Sequence, residues 1–246
     1  YTADGYRMYG LKHFNIVENI ATTKEIEKLK LPYGFLSRCI RAFRIKIMRQ
    51  FNIGFHPGVL KLKGDIYLAG FWKNEKYFKE IKNTIRKEFT LRDHFSNASQ
   101  EIKSEILHEP IPVSLHVRRG DYVSHPGTLR YHGVCSPEYY KSALDYISSR
   151  AGISRLFIFS DDIDWVKNNM TFDFPHIFVS QANIPDYEEM TLMSYCQHNI
   201  IANSTFSWWG AWLNQNKNKI IIAPERWLAK TGNDYYKEIP LDWIKL

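Results

Sequence analysis

Cysteine is scarce in this chain. Three occur among the 246 residues, at Cys39, Cys135 and Cys196, and no Cys-x-x-Cys pair is present. An odd number at wide spacing argues against both a disulfide framework and a zinc site, and it predicts a reducing compartment. No apolar run approaches the roughly 20 residues of a transmembrane helix, and no secretory leader is evident. We therefore expect a cytoplasmic protein.

Charge is not concentrated in a tail. The formal net charge is +7 and 44% of the residues are hydrophobic, so we expect a sizeable core and anionic partners. The most basic segment, residues 39–51, mixes arginine and lysine with apolar residues. Such a segment can make peripheral contact with a membrane, here at its inner face, although a charged face on a packed element is the simpler interpretation. The sequence carries no signal for an oligomeric state.

The first 109 residues show weak periodicity. Their patterns predict a short strand at 10–16, a helix at 21–29, an aromatic strand at 64–72, a helix capped by Asn74 and a short helix at 97–107. Pro110 and Pro112 then break the pattern. We place a domain boundary there, between an amino-terminal domain at 1–109 and a carboxyl-terminal domain at 110–246.

Strand and helix patterns alternate through the carboxyl-terminal domain. The predicted strands are 113–118, 155–160, 176–180, 199–202 and 219–223. The predicted helices are 136–150, 162–169, 186–197 and 204–214, and the first of them opens with Ser136 as its cap followed by Pro137. Short apolar strands between amphipathic helices indicate βαβ units and a parallel, Rossmann-like sheet.

The first of these strands leads into a charged cluster. Arg118, Arg119 and Asp121 follow the apolar alternation at once, and His116 lies inside the strand. Ligands of open α/β sheets bind at the carboxyl ends of the strands. Guanidinium groups can grip phosphate oxygens through paired, charge-assisted hydrogen bonds. The cluster therefore predicts an anion site, most simply for a diphosphate.

The second strand also ends in polar residues. Ser160, Asp161, Asp162 and Asp164 follow an apolar run. A carboxylate at this position can cap the next helix, or it can accept hydrogen bonds from a ribose or a guanine edge. A metal is a third possibility, because Asp162-Ile-Asp164 fits a divalent-ion motif. The arginines already offset diphosphate charge, which favours a site without metal.

A third polar cluster opens the helix predicted at 204–214. Asn203, Ser204, Thr205 and Ser207 follow a strand, and the free N–H groups and dipole of the helix start favour a phosphate. A serine or threonine here could equally be a simple cap. The tryptophans of this helix are more often core residues than a sugar platform.

These three motifs resemble those of a known family. His116-Val-Arg-Arg-Gly-Asp-Tyr122, Phe159-Ser-Asp-Asp162 and Asn203-Ser-Thr-Phe-Ser-Trp-Trp-Gly210 are similar to the α-1,2-fucosyltransferases of glycosyltransferase family 11, in a bacterial form. The aromatic stretch at 66–72 also fits. The resemblance covers about residues 60–225, and three motifs in order make it specific.

The resemblance implies a GT-B-like α/β fold of two Rossmann-type domains with parallel sheets. The amino-terminal domain would face the acceptor, and the carboxyl-terminal domain would bind the donor nucleotide. No stretch matches the Gly-Gly-Leu-Gly-Asn-Gln turn with which family members open, so we expect the amino-terminal domain to be incomplete in this chain. The implied reaction moves L-fucose from GDP-fucose to the 2-hydroxyl of a terminal galactose on a glycan or polysaccharide precursor, with inversion and without a required cofactor or metal.

The resemblance also implies roles for individual residues. Arg118 and Arg119 would hold the diphosphate, and the hydroxyls of the third cluster would contact phosphate. The implied donor-binding set is His116, Arg118, Arg119, Ser160, Asp161, Asp162, Asn203, Ser204, Thr205 and Ser207. Of these, His116, Asp161 and Asp162 would lie near the guanosine.

Inversion also requires a base that deprotonates the acceptor hydroxyl. The candidates are Asp121, Glu138, His132 and His125. We name Asp121, which joins Arg118 and His116 as the predicted catalytic residues. The alternative role for Asp121 is to orient an arginine through an ion pair.

Three other functions stay open. One is a non-catalytic module that binds a nucleotide or carbohydrate, and another is a metal-dependent nucleotide-sugar transferase that uses Asp162 and Asp164. The third is nucleic-acid binding, which the +7 charge suggests. That function needs basic side chains aligned with exposed aromatics along a groove. The arginines here lie in βα turns instead, so we expect no nucleic acid.

Overall fold

A computed structural model describes residues 9–29, 55–64, 66–68, 72, 74–229 and 239–246. The basic segment 39–51, with its predicted membrane contact, lies outside these residues. The α-helices are α1 (Thr23–Leu29), α2 (Lys82–Glu88), α3 (Asn97–His108), α4 (Gly120–Ser124), α5 (Pro126–His132), α6 (Pro137–Arg150), α7 (Ile163–Asn169), α8 (Asp186–Tyr195) and α9 (Thr205–Leu213). The 3₁₀ helices are Gly10–His13, Pro57–Lys61, Glu75–Tyr77, Lys79–Ile81 and Val179–Ala182. The strands are β1 (Pro112–Val117), β2 (Arg155–Ser160), β3 (His176–Phe178), β4 (His198–Ile200), β5 (Ile221–Ala223) and β6 (Ile244–Lys245).

The strands form one parallel sheet in the order β3-β2-β1-β4-β5-β6. This is the order of a doubly wound Rossmann sheet, and the direction of winding reverses between β1 and β4. Val117 lies opposite Ser160 of β2, so the turns after both strands leave the sheet at the same edge. The predicted α/β class and parallel sheet are confirmed. The sheet therefore brings the three motifs together at its switch point, where such sheets bind ligands.

Helices cover both faces of the sheet, because β1 and β2 are buried on both and β2 is apolar on both. Val113 and Leu115 pack on one face in a cluster with Ile147 of α6. Phe157 and Phe159 pack on the other face, in a cluster that includes residues of α3 and α8. All five side chains are fully buried. Each such side chain contributes about 1.5–3 kcal/mol through removal from water, and the sheet edge that carries the motifs is fixed by this packing.

Serine and aspartate caps begin the helices next to the motifs. Ser136 accepts from the N–H of Tyr139 and begins α6, as predicted. Asp162 begins α7 by accepting from the N–H of Trp165, and Ser204 begins α9 in the same way. Such caps are worth about 0.5–2 kcal/mol each. Two of the predicted ligand-binding residues therefore already have a structural role.

Several predicted elements differ from the structure. The predicted strand at 10–16 is mostly a 3₁₀ helix, Gly10–His13, and only Phe14 forms a bridge, with Leu91. The described residues of the stretch 64–72 form no strand. The helix expected after Asn74 is divided into 3₁₀ segments and α2. Helices α4 and α5 and strand β6 were not predicted.

The chain divides into two compact units. One comprises residues 1–16, 86–231 and 241–246 and contains the whole sheet, and the other comprises 17–85 and 232–240. In the second unit the described residues form helices and no strand. Residues 86–109, which the sequence assigns to the amino-terminal domain, belong to the unit with the sheet. The division into an acceptor-side and a donor-side domain stays a prediction.

None of the described helices is long and apolar enough to cross a membrane.

Candidate active site

Arg118 is the first residue beyond β1, and two carboxylates hold its guanidinium group. Nη2 donates to Oδ1 of Asp121 over 2.5 Å, and Nη1 lies 3.1 Å from Oδ2 of Asp161. Its guanidinium carbon also lies 5.3 Å from the centre of the Tyr122 ring. The Nε–H is buried and has no hydrogen-bond partner among the described residues. Arg118 is thus fixed in place but keeps a donor that a ligand could satisfy.

Arg119 points to the opposite face of the sheet. Its guanidinium carbon lies 3.6 Å from the centre of the Trp165 ring in α7, and its Nε donates to Asp162 over 3.3 Å. Only its backbone N–H joins the first cluster, by donating to Asp161 over 2.8 Å. The two adjacent arginines, to which the resemblance gives one role, therefore have different surroundings.

Gly120 allows Asp161 to reach both arginines. A Cβ atom at this position would lie 2.2 Å from Oδ2 of Asp161, closer than atoms can approach. Asp161 uses Oδ1 for the N–H of Arg119 and Oδ2 for Arg118. The glycine of the Arg-Arg-Gly-Asp motif leaves room for this close approach between the turns after β1 and β2, and a larger residue would displace the Asp161 carboxylate.

His116 is buried beneath this cluster and carries no charge at ordinary pH. It is 3% exposed, and its ring centre lies 5.4 Å from that of Phe206 in α9. Burial, together with the nearby Arg118 charge, lowers the pKa of His116 to about 3. Its Nδ1 is buried without a hydrogen-bond partner among the described residues. A neutral imidazole with an unused nitrogen can donate to or accept from a ligand.

The start of α9 supplies hydroxyl groups at the same edge. Ser204 caps the helix through the N–H of Phe206, and its carbonyl accepts from the hydroxyl of Ser207 over 3.3 Å. Ser207 is fully buried, whereas Thr205 is exposed. Of the three predicted phosphate contacts, Ser204 and Thr205 are therefore placed to reach a ligand, and Ser207 supports the turn.

Asn203 joins loops within the same unit. Its side-chain amide donates to the carbonyl oxygens of His132 over 2.9 Å and Trp227 over 3.2 Å. The backbone carbonyl of Asn203 accepts from the hydroxyl of Tyr122 over 3.1 Å. The ring of Tyr122 in turn stacks on His132, with centres 4.6 Å apart. The amide of Asn203 is thus used in holding the turn after β4 against α4 and α5.

A cavity of about 670 Å³ opens beside Arg118. Its lining residues are Tyr9, Gly10, Lys12, His13, Arg118, Tyr122, Asp186, Tyr187, Ser204, Thr205 and Phe206. It thus combines one wall from β1 and α4, one from the starts of α8 and α9, and one from residues 9–13.

Residues 9–13 were not predicted to belong to the site. Phe14 anchors them, because it is buried and the neighbouring Asn15 side chain donates to the carbonyl of Leu91 over 3.1 Å. His13 stacks on Tyr187 with ring centres 3.8 Å apart. No motif in the sequence marks this segment, and the contact depends on tertiary packing alone.

The base candidates lie in different places. Asp121 is bonded to Arg118, and His132 stacks on Tyr122. His125 is exposed and contacts Ser124. Glu138 lines a separate cavity of about 250 Å³ beside α6 and α7. In the described part of the chain, no group of three or more His, Cys, Asp or Glu side chains could hold a metal ion.

Comparison with known proteins supplies the family. The model of "Glycosyl transferase family 11" matches residues 56–245. The "Alpha-1,2-colitosyltransferase" of Escherichia coli is 36% identical over 188 residues, which cover 75% of this chain and 64% of that protein. The E. coli "O-antigen biosynthesis glycosyltransferase WbnK" is 31% identical over 262 residues, covering 99% of this chain and 85% of that protein.

A human relative is more distant. "Galactoside alpha-(1,2)-fucosyltransferase 1" is 28% identical over 156 residues, covering 59% of this chain and 42% of that protein. The chain thus spans less than two thirds of the colitosyltransferase and of the human enzyme. The family match nevertheless covers the sheet and all three motifs. The chain belongs to glycosyl transferase family 11.

Proposed function

We propose that the protein transfers L-fucose from GDP-fucose to the 2-hydroxyl of a terminal galactose, with inversion. The observation that carries this proposal is the placement of Arg118. It lies at the switch point of a doubly wound sheet and lines a cavity of about 670 Å³. Two carboxylates fix it, and its Nε–H lacks a partner among the described residues. The family and the α-1,2 linkage named for two relatives support the class of reaction.

The donor half of the reaction needs a group that stabilises the leaving diphosphate. As the bond between fucose and phosphate breaks, negative charge grows on the phosphate oxygens. Fixed donors aimed at that position stabilise the charge without reorganising. In the proposed complex, Arg118 donates from the turn after β1, and Ser204 and Thr205 donate from the start of α9. In the proposed reaction these fixed donors, rather than a net positive charge or a metal, stabilise the leaving group.

The acceptor half needs a base on the opposite face of the sugar. The proton of the 2-hydroxyl passes to that base while the oxygen forms the new bond to fucose. Asp121 is 40% exposed, but it is bonded to Arg118 over 2.5 Å. This bond favours the orienting role for Asp121 over the role of base.

A donor that carries colitose is the second candidate. The relative with 36% identity is named for transfer of colitose, also to an α-1,2 linkage. The same Arg118 site would serve either sugar, because it addresses the diphosphate rather than the sugar ring. A direct comparison of transfer from the two donors is therefore needed to identify the sugar that the protein transfers.

The test measures transfer from GDP-fucose and from GDP-colitose to a galactose-terminated acceptor, in EDTA, with the linkage determined by NMR. We expect an α-1,2 product from wild type and almost none from Arg118→Ala. Arg226→Ala is the matched control, because Arg226 is exposed and lies outside the cavity. GDP binding without any transfer would favour a non-catalytic module. Activity that disappears in EDTA would contradict a metal-free reaction.

A further inference from the structure

The two carboxylates expected near the guanosine are already engaged. Asp161 accepts from the N–H of Arg119 with Oδ1 and pairs with Arg118 through Oδ2. Asp162 accepts from the N–H of Trp165 with Oδ1 and from Arg119 with Oδ2. Neither carboxylate has both oxygens available for a base. Each oxygen is therefore already directed at a protein donor, and an acceptor that has fewer protein partners is better placed to recognise a guanine.

Two adjacent glutamates in the first turn of α8, Glu188 and Glu189, differ in how fully protein donors occupy their carboxylates. Glu188 is 3% exposed and accepts from both the N–H and the hydroxyl of Ser96, at 3.2 and 2.7 Å, which anchors the start of α3. Glu189 has the hydroxyl of Ser180 as a hydrogen-bond partner, and Asp161 and Asp186 are nearby. No cation pairs with it in the described part of the chain.

The surroundings of Glu189 do not compensate its charge. Burial raises the pKa of Glu189 to about 7, the Ser180 hydroxyl opposes this rise, and Asp186 and Asp161 add to it. A buried carboxyl group with few donors loses its hydration and gains little in return. A ligand that brings N–H groups would supply what this position lacks.

Glu189 lies at the edge of the sheet where the motifs meet. The hydroxyl oxygen of Ser180 accepts from the N–H of Ser160 over 2.9 Å, at the end of β2. Helix α8 packs on the face of the sheet that carries Phe157 and Phe159. Strand alternation places His116 on this same face, where it meets Phe206.

The buried Nδ1 of His116 is a second, independent sign of a ligand on this face. It is a polar atom of a side chain that is 3% exposed, and it has no partner among the described residues. Buried polar atoms in proteins are almost always paired, so an unpaired one at a binding edge points to a missing partner. An imidazole nitrogen and a carboxylate together suit the polar edge of a purine.

We propose that Glu189 recognises the guanine of the donor, accepting hydrogen bonds from its N1–H and its 2-amino group. This proposal rests on the proposed GDP-linked donor. Guanine presents two adjacent N–H donors on this edge, whereas adenine presents an acceptor at N1 and no 2-amino group. The two oxygens of a carboxylate are acceptors only, so they match guanine and reject adenine. Glu189 thereby sets the nucleotide specificity of the enzyme.

The test compares GDP with IDP, which lacks only the 2-amino group, by calorimetric titration at pH 8. A hydrogen bond to a charged group corresponds to a preference of about 10- to 100-fold. We expect wild type to prefer GDP by this factor, and Glu189→Ala to bind the two nucleotides within about threefold of each other, since the 2-amino partner is gone. Glu189→Gln keeps one acceptor oxygen and the shape of the side chain, and we expect an intermediate preference.

Glu188→Gln is the matched control. It weakens the anchor of α3 and should lower the melting temperature, but it should keep the preference for GDP over IDP. An unchanged preference in Glu189→Ala would overturn the assignment of Glu189 and leave the proposed function intact. Failure of wild type to bind GDP would overturn the proposed donor, and this inference with it.

Discussion

The adjacent pair Arg118 and Arg119 provides a sharp test of the site, because the resemblance assigns one role to both and the structure separates them. Arg118 lines the cavity, and its buried Nε–H has no hydrogen-bond partner among the described residues, whereas Arg119 packs on Trp165 on the opposite face. Replacing each by alanine should therefore affect different properties. We expect Arg118→Ala to reduce activity and Arg119→Ala to reduce stability.

The magnitudes follow from the contacts. Loss of one fixed donor to a developing negative charge costs about 10²–10³ in rate, so kcat/KM of Arg118→Ala should fall by at least this factor. Arg119 makes a cation–π contact worth about 0.5–2 kcal/mol and a partly exposed ion pair worth about 0–1 kcal/mol. The sum of about 0.5–3 kcal/mol corresponds to a fall of about 1–12 °C in Tm for a chain of this size.

The assay pairs initial rates of GDP release with thermal unfolding of each variant. Arg119→Ala should keep kcat/KM within about tenfold of wild type at a temperature where it is folded, since only its backbone N–H reaches the cluster. Arg118→Lys keeps the charge but not the fork of donors, and should recover little activity. The reasoning is refuted if both alanine variants lose activity equally with unchanged Tm, or if Arg118→Ala stays within about tenfold of wild type.

Three further changes test the same cluster. Gly120→Ala should displace Asp161 and lower both Tm and donor affinity, and an unchanged affinity in calorimetry would contradict the close approach. If the Asp121 carboxylate orients Arg118, Asp121→Asn should raise KM for the donor and leave kcat nearly unchanged. A fall in kcat at saturating donor would instead indicate that Asp121 is the catalytic base. The pKa of His116 is lowered to about 3, so the unfolded chain binds this proton below about pH 6.5 and the folded chain does not. Stability should then fall by about 2 kcal/mol from pH 6.5 to 5, and His116→Asn should remove this part of the slope in urea titrations.

The sequence predicted the central strands well because β1, β2, β4 and β5 are buried on both faces. The predicted strand at 113–118 and helix at 136–150 agree with β1 and α6 to within a residue or two. Apolar runs between amphipathic helices are a strong local signal, and Ser136 followed by Pro137 marks the helix start. Parallel pairing then follows from the alternation, and with it the meeting of the three motifs at one edge.

Helices α4 and α5 could not be predicted from local pattern. The segment 120–133 contains three glycines and a proline, which favour turns over helices. These two helices have five and seven residues, lengths that are unstable in isolation. Contacts outside the segment hold them, including the bond from Tyr122 to the carbonyl of Asn203 and the amide of Asn203 to His132.

The different directions of the Arg118 and Arg119 side chains follow from the alternation of side chains along a strand. Successive residues of a strand point to opposite faces, so Arg118 continues the face of His116 and Arg119 takes the other face. The rule could not be applied from sequence alone, because the chain leaves β1 at Val117 and a turn need not preserve the alternation. The structure preserves it, since Trp165 of α7 receives Arg119.

The charges of the cluster explain why geometry, rather than net charge, must select the ligand. Arg118 and Arg119 are matched by Asp121, Asp161 and Asp162, so the cluster carries no excess of positive charge and the +7 of the whole chain is not located there. With two cations and three carboxylates, the cluster therefore does not attract an anion from a distance. At contact it meets donors whose directions are already fixed, and the carboxylates that lower the net charge are the groups that fix them. Fixed donors stabilise a charge as it develops more than a mobile cation of the same charge would, so this balance favours the transition state over the bound donor.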